Sequence, residues 1–252
     1  MYLREQCSLI FCFIQLDYLL TAKCFKVKSS SCQHVLLCKL TERRWDVKNV
    51  LAFGDSNTWG LIPGTKDRFP WGIRWTSIIQ ENLEGVRVIE EGLCGRTTVF
   101  EDELRPLRKA IDVLPMVLET ITPIDYAIVM LGTNDCKALF HNNAYTIISG
   151  LKLCVSEIGK YLPPDKILIV SPIYLGEDVW REDKDPEFDK DSVKVSTKLK
   201  KYYKEFALEN GYSFLAASDY AKASHIDEEH LDEEGHRNLS KAIIEKISPF
   251  LL

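Results

Sequence analysis

The stretch NVLAFGDS, residues 49–56, decides the fold. Its apolar part, Asn49–Phe53, is typical of a buried parallel strand, because both faces of such a strand are covered by helices. Gly54 and Asp55 interrupt the run, and the hydroxyl of Ser56 follows the interruption. In an open α/β sheet, ligands bind at the carboxyl ends of the strands. The position of Ser56 therefore makes chemistry there plausible.

Outward from this stretch, apolar runs alternate with segments of helical periodicity, which predicts one doubly wound α/β domain with a parallel sheet. The predicted strands are Lys48–Phe53, Val86–Glu90, Tyr126–Leu131, Lys166–Ser171 and Tyr212–Leu215. The predicted helices are Ile73–Leu83, Pro106–Ile121, Asn143–Leu162, Ser192–Asn210 and Asp232–Ile247. Right-handed crossovers would place the carboxyl ends of all five strands at one edge.

Composition narrows the function classes. Of the 252 residues, 46% are hydrophobic and 27% charged, which matches a globular protein with a sizeable core. A net charge of -5 argues against a nucleic-acid surface, which would need a basic stripe. No Gly-x-Gly-x-x-Gly follows the first strand, so a dinucleotide site is not predicted either.

The first 46 residues differ from the rest of the chain. They contain five of the eight cysteines, and their apolar segment Cys7–Ala22 is interrupted by Gln15 and Asp17. That segment is shorter than the roughly 20 residues of a membrane helix. We expect residues 1–46 to be an extension outside the core fold, from a start site assigned too early, or a weak signal or anchor. Residues 47–252 would form the domain.

The main body keeps only three cysteines, Cys94, Cys136 and Cys154. They make neither a disulfide framework nor zinc-ligand spacing. A reduced, cytoplasmic protein is therefore expected, secreted or anchored only if the extension works as a signal.

Four short segments fall at the predicted edge of the sheet. A serine, an asparagine, flexible glycines and an Asp-x-x-His pair are the parts needed for acyl transfer. Taken singly, each segment is explained by the needs of a turn or a helix cap. Together they are not, because turn chemistry does not require an Asp-x-x-His pair beside the other three. The segments are GDS at 54–56, GLCG at 92–95, GTND at 132–135 and DEEH at 227–230.

These segments resemble the SGNH (GDSL-type) hydrolase superfamily, in its order, over residues 47–252. The longer matches resemble bacterial arylesterases and related acyltransferases. They are GDSNTWG at 54–60, EEGL at 90–93, RTT at 96–98, MLGTNDCK at 130–137, and HL at 230–231 followed by EGH at 234–236. The resemblance implies a three-layer, flavodoxin-like α/β/α sandwich with a five-stranded sheet.

The resemblance also implies the site residues. Ser56 would be the nucleophile, His230 the base and Asp227 the acid that orients it. The N–H groups of Ser56 and Gly95 and the side chain of Asn134 would form the oxyanion hole. The resemblance implies neither a metal nor an organic cofactor. It also implies a homo-oligomer, and acyl transfer to alcohols as a side activity.

This sequence departs from the family pattern at two points. Glu228 and Glu229 stand where small or apolar residues are common, and they would either raise the basicity of His230 or point to solvent. Cys94 precedes the oxyanion glycine, and no catalytic role is assigned to it. Arg96 would either approach the site or pair with an acidic residue such as Glu91.

Other residues receive lesser roles. Trp59 follows the nucleophile closely and would wall the acyl pocket, whereas Trp75 would be a core residue. Asp55 would hold the turn and Asp135 would brace the oxyanion loop. His236 is expected to be a surface or capping residue. The charged segment 173–191 is too long for a plain turn, so it is a flap over the site or a solvated loop.

We therefore expect a metal-independent serine esterase that acts through an acyl-enzyme on small, short-acyl esters, since Trp59 and the lack of a long apolar lid leave little room for a fatty chain. Two alternatives remain open at this point. One is a carbohydrate acetyl esterase with the same triad. The other is a non-catalytic binding module, against which the complete set of Ser56, Asn134 and His230 argues. Neither nucleic acid nor a membrane is expected as a partner of the domain.

Overall fold

Alternating helices and strands produce the layered arrangement that the sequence predicts. The computed structural model describes residues 47–251, and the expectations for residues 1–46 lie outside this range. The strands are β1 (Lys48–Gly54), β2 (Val86–Gly92), β3 (Tyr126–Met130), β4 (Ile167–Ser171) and β5 (Ser213–Ala216). The helices are α1 (Ser56–Trp59), α2 (Trp75–Asn82), α3 (Ala110–Ile121), α4 (Ala144–Ile158), α5 (Lys190–Glu209) and α6 (Glu233–Leu251).

The five strands form one parallel sheet in the order β2-β1-β3-β4-β5. Chain order reverses at β1, which has β2 on one side and β3 on the other. The register places Gly54 beside Gly92 of β2 and beside Met130 of β3. Three strand ends therefore meet where ligands bind in this kind of sheet.

Both faces of the sheet are covered, because successive side chains of a strand point to opposite sides. Leu51 and Phe53 belong to one core cluster, together with buried residues of α3, α4 and α5. Val50 and Ala52 belong to a second cluster, together with buried residues of α2 and α6. The three-layer α/β/α sandwich with its five-stranded sheet is thus as predicted.

Two helical elements differ from the prediction. The helix predicted from Pro106 begins at Ala110, because residues 97–109 form an irregular loop closed by Thr97. The N–H of Thr97 donates to the carbonyl of Arg108 at 3.1 Å, and Ala110 donates back to Thr97 at 2.9 Å. Helix α1 was not predicted, since four residues are too few to show a period.

None of the helices within residues 47–251 combines the length and the apolar character that crossing a bilayer requires.

Candidate active site

Ser56 begins helix α1 directly after strand β1. Asp55 caps this helix, its carboxylate accepting the N–H of Asn57 at 3.0 Å, as expected of a residue that holds the turn. Gly54 is required for the close approach of β1 and β3, because a Cβ there would lie 2.7 Å from the carbonyl oxygen of Met130. The sharp junction holds Ser56, only 2% exposed, at the end of the sheet.

Three of the predicted site residues lie in one hydrogen-bonded row. The Oγ of Ser56 is 2.8 Å from Nε2 of His230. The Nδ1 of the same imidazole is 2.9 Å from Oδ2 of Asp227. This arrangement can move a proton from the hydroxyl to the ring while the carboxylate fixes the tautomer of the ring.

The loop that carries His230 is held by its own side chains. Oδ1 of Asp227 accepts the N–H groups of Glu229 at 3.1 Å and of His230 at 3.0 Å. Oδ2 accepts the N–H of Gly64 at 2.9 Å, in addition to the bond with the imidazole. The carboxylate of Asp227 is therefore fixed in orientation before it acts on the ring.

A contact between distant parts of the chain joins this loop to α1. The Oδ1 of Asn57 accepts the N–H of Leu231 at 2.9 Å, and its Nδ2 donates to the carbonyl of Glu229 at 3.4 Å. The carbonyl of Asn57 accepts the indole N–H of Trp75 at 3.2 Å. Because Asn57 follows Ser56 directly, one amide sets the distance between the hydroxyl and the imidazole.

The electrostatics of the row favour a protonated imidazole. Burial alone would lower the pKa of His230, but the carboxylates of Glu229 and Asp227 outweigh it and raise the pKa to about 9. Burial opposes ionisation of Asp227, yet its hydrogen bond and ion pair with His230 lower its pKa to about 2. The Asp227 carboxylate therefore stays charged over the whole range in which His230 titrates.

The segment after β2 lies against the end of β1. The N–H of Leu93 donates to the carbonyl of Gly54 at 3.1 Å. Gly95 has φ +81°, a conformation that glycine adopts without strain, and its N–H makes no hydrogen bond within residues 47–251. The Nδ2 of Asn134 donates to the carbonyl of Arg96 at 3.2 Å, which brings the third segment next to Gly95.

Arg96 does not pair with the carboxylate of Glu91. Its NH1 donates to the backbone carbonyls of Glu91 and, at 2.9 Å, of Gly54. The guanidinium lies 4.2 Å from the ring centre of Phe53, and burial lowers its pKa to about 10. Arg96 therefore ties the β1 and β2 ends together and presents a carbonyl, not a charge, to Asn134.

Asp135 braces the same region, as the sequence suggested. Its carboxylate accepts the N–H of Thr98 at 2.9 Å and also the hydroxyl of Thr98. Complete burial raises the pKa of Asp135 to about 6. Cys94, between the two glycines, is a free thiol whose pKa is raised to about 11, chiefly by burial, so it is a poor nucleophile near neutral pH.

The tryptophans near the first loop differ in environment. Trp59 lies at the end of α1, one turn after Ser56, and Arg68 stacks on its ring at 5.4 Å from the ring centre. Trp75 is fully buried, which confirms its prediction as a core residue. Trp71 is 54% exposed.

Of the two alternatives expected for His236, the surface position is wrong and the capping role agrees with the structure. The side chain is fully buried, and its Nδ1 accepts the N–H of Trp75 at 3.3 Å. It therefore caps the start of α2, a helix distant in sequence, and burial lowers its pKa to about 4. The sequence could not show this contact, because 161 residues separate the partners.

The charged segment between β4 and α5, residues 172–189, is here called the strap. It contacts the loop that carries the Asp-x-x-His pair. The N–H of Gly176 donates to the carbonyl of Glu228 at 2.8 Å. Lys184 Nζ donates to the carbonyls of His225 at 2.7 Å and Ile226 at 2.9 Å. These contacts favour a flap that is fixed beside the site over a loop surrounded by solvent.

Sequence reasoning missed a cluster of charges that ties the strap to the oxyanion side. The side chain of Lys137 is 1% exposed and lies 2.6 Å from Glu187 of the strap and 3.4 Å from Asp102. Arg105 makes two further bonds to Glu187, at 2.7 and 2.9 Å. One feature of the sequence pointed to this cluster, namely the position of Lys137 directly after the GTNDC segment.

Sequence reasoning left the orientation of the two extra glutamates open. Glu229 is 5% exposed and its Oε2 lies 3.6 Å from Nδ1 of His230, whereas Glu228 is only partly buried. The first of the two alternatives, raised basicity of His230, therefore applies to Glu229.

Among residues 47–251, no group of three or more His, Cys, Asp or Glu side chains is arranged to hold a metal ion.

Comparisons with known proteins show the family to which the chain belongs. The model of the GDSL-like lipase/acylhydrolase family matches residues 52–238. The native aryl esterase of M. smegmatis is 32% identical, with a TM-score of 0.73, over 81% of this chain and 100% of that one. Est24, a carbohydrate acetylesterase from Sinorhizobium meliloti, is 34% identical, with a TM-score of 0.72, over 80% of this chain and 99% of that one. No curated protein matches the sequence.

Proposed function

Since this chain belongs to the GDSL-like lipase/acylhydrolase family and is a carboxylic ester hydrolase, we propose that it cleaves small, short-acyl esters through an acyl-enzyme on Ser56. The observation that carries the proposal is the hydrogen-bonded row in the site. Ser56 Oγ lies 2.8 Å from His230 Nε2, and His230 Nδ1 lies 2.9 Å from Asp227 Oδ2. Both distances are within the reach that proton transfer needs.

The reaction proceeds in two halves. Neutral His230 takes the hydroxyl proton of Ser56 as the oxygen attacks the ester carbonyl, and the resulting imidazolium then gives that proton to the departing alcohol. Water attacks the acyl-enzyme in the second half, with His230 again as base, and Ser56 regains its proton when the acid leaves. Asp227 remains ionised throughout and stabilises the imidazolium.

Negative charge develops on the carbonyl oxygen in both halves. The N–H groups of Ser56 and Gly95 and the Nδ2 of Asn134 are the donors proposed to stabilise it. Support comes from the N–H of Gly95, which has no hydrogen-bond partner in the described part of the chain, and from the bond that holds Asn134 at Arg96. The loss of one such donor typically lowers kcat about 100- to 1000-fold.

The expected acyl group is short. A fatty chain needs a long apolar groove, whereas the strap that lies against the His230 loop is rich in charged residues, among them Glu177, Asp178, Arg181 and Lys184. Trp59, one turn after Ser56, is the first bulky residue that follows the proposed nucleophile in the sequence. These features favour acetyl and similar groups.

The leaving group has two candidates. An aryl esterase and a carbohydrate acetylesterase resemble this chain to almost the same degree. The two substrate classes share a small acyl group and differ in the alcohol. We favour simple and aryl esters, with acetylated sugars as the second candidate.

The nucleophile is tested by covalent labelling. The full chain is incubated with a fluorophosphonate and its intact mass and peptides are measured. We expect one adduct on Ser56 in the wild-type protein and none in Ser56→Ala. The control is Ser156→Ala, at an exposed position of α4, which should be labelled normally. An adduct on another residue, or full labelling of Ser56→Ala, would refute the assignment of Ser56.

The substrate class is tested with p-nitrophenyl esters from acetate to palmitate, and with acetic acid release from phenyl acetate and acetylated xylose. We expect kcat/KM for the acetate to exceed that for the palmitate by tenfold or more, on the order of what a few methylenes contribute in a closed pocket. Faster cleavage of the palmitate would refute the short-acyl proposal. Faster release from the sugar than from the aryl ester would favour the second candidate.

A further inference from the structure

A second carboxylate lies beside the imidazole of His230. The Oε2 of Glu229 is 3.6 Å from the Nδ1 that is bonded to Asp227 at 2.9 Å. The single N–H at Nδ1 is used by Asp227, and 3.6 Å is too long for a hydrogen bond. Glu229 therefore acts on the ring through its charge, and its side chain is only 6% exposed, where solvent screens that charge little.

The backbone of Glu229 is fixed on both sides. Its N–H donates to Asp227 Oδ1 at 3.1 Å, and its carbonyl accepts from Asn57 Nδ2 at 3.4 Å. The preceding residue, Glu228, has φ +64°, in the left-handed region that non-glycine residues seldom occupy. This local turn directs Glu229 inward, toward the imidazole.

The strap reaches the same carboxyl group. The charge of Asp185 in the strap opposes ionisation of the Glu229 carboxyl group. Asp185 is itself oriented, because its Oδ1 accepts the N–H of Glu187 at 3.0 Å. The neighbouring Lys184 ties this part of the strap to the carbonyls of His225 and Ile226.

We propose that Glu229 is a positioning residue for the ester hydrolysis, which supplies a second negative charge beside Nδ1 of His230. The inference rests on the proposed function of His230 as the base.

The direction of each titration agrees with this arrangement. Burial raises the pKa of Glu229 to about 7, with the charges of Asp185 and Asp227 adding to the rise and that of His230 opposing it. The Glu229 carboxylate in turn contributes to the pKa of about 9 at His230. Cys94 also lies within the influence of Glu229, but its thiol stays protonated in this range.

Two further groups face His230 from other elements. Asp55, in the turn after β1, favours the imidazolium. His236 on α6 is neutral near pH 7, since burial lowers its pKa to about 4. Neither contacts Glu229 through a hydrogen bond within the described residues, so a change at Glu229 isolates its own charge.

The test is the titration of His230 by NMR in the full chain, together with the pH dependence of kcat/KM. Glu229→Gln keeps the shape and removes the charge. We expect the midpoint of His230 and the acid limb of kcat/KM to move down by about one pH unit or more, the usual effect of an opposite charge at this distance. Glu229→Asp should restore most of the shift, and Glu228→Gln should leave both midpoints unchanged.

The variant Asp185→Asn provides a second test in the same titration experiment. It removes a neighbouring negative charge, so the carboxyl midpoint of Glu229, read by ¹³C NMR, should fall below about 7. The midpoint of His230 should stay within a few tenths of its wild-type value, because Glu229 itself is retained. A merely structural role would move both variants alike. Equal midpoints of His230 in wild type and Glu229→Gln would overturn the proposal.

Two outcomes remain distinct from these. If Glu229→Gln does not fold, the wild-type protein and Asp185→Asn still decide, because a wild-type His230 midpoint near its ordinary value of about 6.5 would overturn the inference. If the proposed function is wrong, Ser56→Ala will retain ester hydrolysis. The NMR midpoints do not depend on that result, so the two failures can be distinguished.

Discussion

The side-chain oxygen of Asn57 accepts the N–H of Leu231 at 2.9 Å, across 174 residues of sequence. Each partner is the direct neighbour of a proposed triad residue, Ser56 on one side and His230 on the other. The amide nitrogen of Asn57 also bonds the carbonyl of Glu229. The separation of hydroxyl and imidazole is thus fixed by one buried side chain that takes no part in the chemistry.

Asn57→Ala should therefore lower kcat more than it raises KM. The variant leaves two backbone groups of the 229–231 segment unpaired, at about 1–3 kcal/mol for a buried group. We expect kcat to fall at least tenfold with p-nitrophenyl acetate, and the melting temperature to fall by several degrees. Asn210→Ala, whose amide bonds the end of α5 away from the site, serves as the control. Unchanged kcat in Asn57→Ala would contradict this role.

The pH dependence of the reaction follows from His230. Its pKa is about 9 because Glu229 and Asp227 outweigh the effect of burial. Only the neutral ring accepts the proton of Ser56, so kcat/KM should rise with pH and level off above about 9. The rate is followed at the isosbestic wavelength of p-nitrophenol and corrected for spontaneous hydrolysis.

The same shift has a consequence for stability, with its sign set by linkage. Because folding raises the pKa of His230, its contribution is fully present below the unfolded value of about 6.5 and is lost as pH rises toward about 9. The unfolding free energy from urea should therefore fall over this window, and less so in His230→Gln. An acid limb centred near pH 6.5 would contradict both expectations.

Much of the fold could be predicted because its signals are local. The strands are continuous apolar runs, so β1 and β3 were placed to within a residue, and their alternation with helices indicated a parallel sheet. The family match and the similar structures confirm the expectation of an ester hydrolase. The site roles remain predictions, although the structure brings Ser56, His230 and Asp227 into one row.

The parts that could not be predicted depend on pairs distant in sequence. Periodicity says nothing about which side chain meets His236, and its contact with Trp75 was missed. Lys137 directly follows the GTNDC segment, but nothing local indicated its partner Glu187, because their ion pair joins the strap to a distant part of the sequence. The inward turn at Glu228 requires a left-handed residue that is not glycine, which sequence patterns do not favour.

Lys137 should be a major contributor to stability. Its ammonium is buried between Glu187 at 2.6 Å and Asp102 at 3.4 Å. Lys137→Met would leave Asp102, which is also buried, without its partner, and breaking such a pair typically costs about 3–5 kcal/mol. Urea unfolding should show this loss. Lys194→Met, at an exposed pair with Asp191, should leave the unfolding curve unchanged. Equal curves for the two variants would contradict the expectation.

A variant at Trp59 tests whether this side chain limits the length of the acyl group. The indole lies one turn after Ser56 and is stacked by Arg68. Trp59→Ala would open space beside the nucleophile, so the ratio of kcat/KM for the octanoate to that for the acetate should rise by about tenfold. Trp71→Ala, an exposed ring stacked by Arg74, should leave this ratio unchanged. The ratio separates two roles, because a wall acts selectively on long chains, whereas a support for α1 acts on every ester. An equal loss at all chain lengths would mean that Trp59 only holds the helix on which Ser56 lies.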